Sequence, residues 1–96
     1  MRNAARLSTD ERVAYQLGIR HLECGEDEAA LGHLTRLVAT RPRFADIHYL
    51  LGLLYERRGD LDTAAQRFEA AVELNPGYAE ARLALRLESG LNDVVL

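Results

Sequence analysis

Apolar positions return every three or four residues along this chain. Between residues 9 and 24, Val13, Leu17, Gly18 and His21 fall on one side of a helix, and Tyr15, Ile19 and Leu22 fall on another. A helix with two apolar sides needs neighbours on both. The period recurs downstream, and it predicts five helices over roughly 9–24, 27–40, 45–58, 61–74 and 79–89. No segment shows the strict alternation of a half-buried strand, so the expected fold class is all-α. Local signals agree with these breaks. Ser8 and Glu11 make a capping box, and Gly25 provides the left-handed residue that ends a helix. Asp60 suits an N-cap, and Pro76 follows Leu74-Asn75 where a helix must stop. Gly90, with Leu91 in reach of Leu85, reads as a Schellman-type end to the last helix.

The breaks are themselves periodic. Gly18 and Gly52, Gly25 and Gly59, Ala30 and Ala64, and Pro42 and Pro76 are each 34 residues apart. In the second copy, Leu51-Gly52, Tyr55, Gly59, Ala64, Phe68, Ala71 and Pro76 closely resemble the tetratricopeptide repeat pattern. The first copy keeps Leu17-Gly18, Gly25, Ala30 and Pro42. It has Ala14 where the family usually places a large aromatic, His21 where it prefers Tyr, and Leu34 and Leu37 in its second helix. The resemblance implies a right-handed superhelical stack of antiparallel helix pairs in a single domain spanning 1–96. Its repeats would cover 11–44 and 45–78, followed by a capping helix at 79–89 and a short tail at 90–96. A third full repeat would need a Gly-Asp turn at 93–94, and that pair is absent. Gly18 and Ala30, like Gly52 and Ala64, stand where paired helices would cross closely.

Composition narrows the function. At 96 residues the chain suffices for one small core, and 48% apolar with 28% charged residues is a globular balance rather than a disordered one. Twelve basic residues face fifteen acidic ones with no basic stripe, which makes nucleic acid and anionic membranes poor partners. The one cysteine, Cys24, cannot form an internal disulfide, and residues 1–12 contain no apolar run of signal-peptide length. A cytoplasmic protein without a membrane segment is expected.

Candidate chemistry is sparse. His21 and Cys24 lie three apart, but two ligands do not make a metal site, and Cys24 is expected as a small buried hydrophobe. His33 and His48 gain no partner from spacing. Glu23, Glu26, Asp27 and Glu28 lack the alternating pattern of a calcium loop, and the glycines form no phosphate-binding loop. Neither a metal nor another cofactor is expected, and no catalytic constellation is found. An enzyme is not the reading that the chain supports.

A surface remains. The resemblance places ligand contact on the concave side, at Arg12, Tyr15, Ile19, Leu22 and Glu23, then at Asp46, Tyr49, Leu53, Glu56 and Arg57, with Glu80, Leu83 and Leu87 from the last helix. Tyr15 and Ile19, Tyr49 and Leu53, and Leu83 and Leu87 are each four apart, so each pair shares a helical face and the three helices align them into a stripe. Family members that clamp acidic C-terminal tails use Lys, Asn and Arg, whereas Tyr15, Ile19, Leu50, Glu80 and Ala84 stand at the corresponding places here. The groove therefore suits an apolar peptide or an amphipathic helix of another protein. Two further occupants are open: a second copy of the chain, and the apolar tail Leu91, Val94, Val95 and Leu96. The plain alternative is that the stripe is ordinary core.

Overall fold

The protein is described by a computed structural model covering residues 7–93, with side chains through Glu88. Among the described residues it forms five helices, α1 (Thr9–Glu23), α2 (Asp27–Thr40), α3 (Ala45–Arg57), α4 (Leu61–Leu74) and α5 (Ala79–Asp93), and no strand. They stack as antiparallel pairs in a right-handed superhelix, each helix packing chiefly on its neighbours in sequence while α1 also touches α3.

The chain ends and restarts each helix by named contacts. The Ser8 hydroxyl accepts from the Glu11 amide at 3.1 Å, and the Ser8 amide donates back to the Glu11 carboxylate at 2.9 Å. At the far end of α1, Gly25 adopts φ +78° while the Glu26 amide donates to the His21 carbonyl and the Gly25 amide to that of Leu22. These two bonds form a Schellman motif. Gly59, at φ +84°, repeats it after α3, with Asp60 bonded back to Tyr55. Asp60 then turns to the next helix and accepts from the Thr63 amide.

The core forms where the helices of each pair approach. A Cβ added at Gly18 would lie 2.7 Å from a Leu34 methyl, and one added at Gly52 would run into the Phe68 ring. Leu34 and Phe68 are both fully buried, so neither can step aside. They fill the crossings, and Ala30 and Ala64 are fully buried as well. A second layer joins the pairs: Ile47, Leu51 and Leu54 of α3 pack in one cluster with Leu34 and Leu37 of α2.

Polar ties reinforce the stack. Arg41, just past α2, donates to both Glu11 carboxylate oxygens at 3.0 Å, so Glu11 serves the α1 cap and an interhelix pair together. The Arg57 guanidinium pairs with Asp27 and donates to the Leu22 carbonyl, and Arg58 pairs with Glu28 at 3.0 Å.

Two sequence expectations change. Helix α5 continues to Asp93, so Gly90 lies inside it rather than closing it; a helical glycine costs only about 1 kcal/mol. Cys24 is exposed instead of buried, because it is the C-cap residue of α1 and leaves the helix at the surface. The tail contact expected of Leu91, Val94, Val95 and Leu96 lies outside the residues whose side chains are described.

Glycine substitutions separate the crossings from open surface. Gly52→Ala should destabilise by about 1–3 kcal/mol through overpacking, whereas Gly32→Ala, with nothing within 4 Å of the new methyl, should stabilise by about 0.5–1 kcal/mol. Urea titrations followed by circular dichroism check both signs. Glu11 governs acid stability: the Arg41 hydrogen bond, then the Ser8 amide, hold its carboxyl at about 2 instead of 4.5. Its stabilisation is present above pH 4.5 and is lost as pH falls toward about 2. Thermal melts of Glu11→Gln should therefore show a shallower loss across that window than the native chain.

Candidate functional site

The residues expected to form the groove lie on one face each of α1, α3 and α5. From α1, Tyr15 and Ile19 are half-buried and Arg12 and Glu23 are exposed. From α3, Asp46, Tyr49, Leu53 and Glu56 are all half-buried, with Leu53 leaning on the core cluster. From α5, Leu83 and Leu87 are 54% and 60% exposed. The stripe is thus anchored at its centre and open at its α5 edge.

Two of the expected contacts have structural employment. Leu22, 9% exposed, belongs to the core cluster with Leu34 and Leu37, because its side chain points into the junction between repeats. Arg57 is exposed at one edge but its guanidinium is engaged by Asp27 and the Leu22 carbonyl. Leu22 is accordingly a packing residue, and Arg57 ties α3 to the α1–α2 turn.

An aromatic and acidic floor appears that the sequence reading lacked. Tyr49 packs against Tyr78 at 5.2 Å between ring centroids, the rings tilted by 45°, and Tyr15 packs against Phe44 at the same 5.2 Å, tilted by 38°. Tyr49 also meets the Phe68 ring at 5.8 Å, which joins the stripe directly to the core. The Tyr15 hydroxyl donates to the Asp46 carboxylate at 3.5 Å. Burial, then the charge of Asp46 and the hydrogen bond to it, push the Tyr15 hydroxyl up to about 12. The same causes in the same order push Tyr78 upward, so Asp46 sits between two neutral phenols. Tyr49 is raised by burial and then by the charges of Glu80 and Glu56.

A carboxylate pair bridges α3 and α5. A hydrogen bond to Glu56, then burial and the negative charge of Glu56, push the Glu88 carboxyl up from 4.5 to about 7. The groove is therefore apolar along its stripe and acidic beside it, through Asp46, Glu56, Glu80 and Glu88.

The histidines fill structural roles. His48 is 7% exposed, with Nε2 2.7 Å from the Pro42 carbonyl and Nδ1 3.2 Å from the Arg67 guanidinium. Arg67 can only donate, so Nδ1 accepts and Nε2–H donates to Pro42. His21 meets Glu26 at 2.6 Å and stacks on His33 at 5.3 Å. Among the described residues no group of three His, Cys, Asp or Glu side chains could hold a metal ion, and no helix is long and apolar enough to cross a membrane.

Glu88 should make stability fall with rising pH. Its folded-state value is raised, so its contribution is present below 4.5 and is lost as pH rises through about 7. Glu88→Gln should flatten the melting temperature across that interval, as differential scanning calorimetry at a series of pH values would show.

Comparison with known proteins agrees with the architecture. The tetratricopeptide repeat family model matches residues 15–79. Among solved structures, MamA superposes with a TM-score of 0.80 at 31% identity, over 86% of this chain and 50% of that one. A single-residue mutant of MamA gives 0.77 at 21% identity, over 96% of this chain and 67% of that one, a likeness of fold alone. The chain thus spans about half the length of the first of these structures. Tetratricopeptide repeats are modules of protein–protein interaction rather than of catalysis, and with two glycine-crossed helix pairs and a matching family model this chain belongs to the tetratricopeptide repeat family.

Proposed function

We propose that the chain is a non-catalytic, cytoplasmic interaction domain that seats an apolar peptide or amphipathic helix of another protein in its concave groove. The domain comprises residues 1–96, with repeats at 11–44 and 45–78 and α5 as the closing helix. The observation that carries this reading is the row formed by Tyr15 and Ile19, Tyr49 and Leu53, and Leu83 and Leu87, in which burial decreases toward α5. A row of this kind offers a fixed floor and an open wall to a helix with anchors three and four residues apart. The acids beside it, Asp46, Glu56, Glu80 and Glu88, favour basic residues flanking those anchors. Arg12 stands at the exposed α1 edge and meets the opposite charge there. The same row is the alternative seat of a homo-oligomer contact, supported by the exposure of Leu83 and Leu87.

Tyr49 and Leu53 lie at the centre of the row, where binding energy concentrates. The probe is a fluorescent amphipathic peptide with leucine anchors and lysine flanks, read by anisotropy. Tyr49→Ala with Leu53→Glu should keep the helical spectrum yet weaken capture by about 2 kcal/mol or more. Phe68→Ala, by contrast, should lose about 3–5 kcal/mol of stability. If the groove variant unfolds as Phe68→Ala does, or if the native chain ignores the peptide, the reading fails.

A further inference from the structure

The outer face of α1 repeats, without a covering helix among the described residues, an interface that the chain completes one repeat later. Val13, Leu17 and Arg20 stand 34 residues before Ile47, Leu51 and Leu54. In α3 those three residues are 0%, 2% and 0% exposed, because α2 covers them with Leu34 and Leu37. In α1 the equivalent Val13 and Leu17 are 48% and 38% exposed and, with Gln16 and Arg20, line a shallow cleft. The third place of the triplet has changed from an apolar side chain to a cation.

The opposite end of the molecule carries a face that fits. On α5, Leu83 and Leu87 are 54% and 60% exposed, and Glu80 lies on the same side one turn earlier. The two faces match in spacing when the helices run antiparallel. Read forward, α1 presents apolar, apolar and cationic residues at steps of four and three; read backward, α5 presents apolar, apolar and anionic residues at steps of four and three. Val13 would meet Leu87, Leu17 would meet Leu83, and Arg20 would meet Glu80. We propose that α5 of one copy docks on the outer face of α1 of a second copy, so that the chain self-associates head to tail. The two faces are different surfaces of one molecule, which makes the contact heterologous and free to propagate. A single helix seam buries less than the standard area of a stable interface, so association is weak and rises with concentration.

The seam rests on the oligomer reading above and shares Leu83, Leu87 and Glu80 with the proposed groove, but its α1 half, Val13, Leu17 and Arg20, lies outside that groove, so the α1 variants probe the seam without touching peptide capture. Sedimentation velocity of the native chain from low micromolar to millimolar concentration should show mass rising beyond a dimer. Leu17→Glu should abolish the rise with its helical spectrum intact. Arg20→Glu places acid against acid and Glu80→Arg base against base, so each alone should weaken association by about tenfold or more. Mixed at equal amounts, those two variants should associate again, because each supplies the opposite charge to the other. Tyr49→Ala with Leu53→Glu should leave the association in place. A native chain that stays monomeric at millimolar concentration overturns the inference. So do charge variants that associate as well alone as mixed, and so does a seam lost in the groove variant but kept in Arg20→Glu.

Discussion

Everything in this molecule depends on two places where a helix lacks a side chain. At Gly18 and Gly52 the partner helix closes in until Leu34 and Phe68 occupy the volume that a Cβ would need. This close approach fixes the angle and depth of each pair, and those in turn fix which faces of α1 and α3 remain for other duties. The effect reaches the surface in one step. Phe68 fills the Gly52 crossing with one edge and meets Tyr49 at 5.8 Å, so the groove's central aromatic rests on the residue that sets the crossing. Arg86 stands 34 residues after Gly52 and is exposed. A long cation there would not fit a third crossing of the same closeness.

The repeat also explains why chemically similar residues have different fates. Val13 and Ile47, or Leu17 and Leu51, occupy equivalent places on equivalent helices, and only the presence of α2 decides that the second of each pair is buried. Burial here is a property of the neighbour rather than of the residue. The same logic holds for the ties at the turns: Arg57 and Arg58 lie where α3 passes the α1–α2 connection, and their acids, Asp27 and Glu28, sit at the start of α2.

Helix positions were legible because their causes are local. A hydroxyl and a carboxylate three residues apart, or a glycine after the last apolar position, act over one turn, and the capping box at Ser8 and the two Schellman ends at Gly25 and Gly59 formed as the pattern requires. The same rule misread Gly90, where a glycine inside a helix costs too little to end it. The floor of the groove was less legible. Asp46 between Tyr15 and Tyr78, and Glu56 against Glu88, join residues about one repeat apart, and their distances follow from the superhelix rather than from any local signal. One trace was present: Phe44 and Tyr78 are themselves 34 apart, as are Tyr15 and Tyr49, so the two tilted ring pairs repeat each other. Leu22 was drawn to the groove by its place in the family pattern, although an apolar residue beside a repeat junction has a core available to it.

The two chemistries of the concave side constrain each other. Each phenol ring of the floor is held by another aromatic, Tyr15 by Phe44 and Tyr49 by Tyr78 and Phe68, and Asp46 is half-buried beside them. The Tyr15 hydroxyl answers part of the Asp46 charge by donating to it. Glu88 meets a similar cost in another way: its hydrogen bond to Glu56, then burial and the charge of Glu56, raise its carboxyl to about 7. Neither arrangement fully replaces water, so the groove keeps acceptor capacity beside an apolar row. A purely apolar ligand would cover those acceptors and gain nothing from them, while a ligand with anchors on one face and cations at its edge would satisfy both. In the proposed groove, selectivity would follow less from the leucines, which any apolar segment can cover, than from the carboxylates that a mismatched segment would bury unpaired.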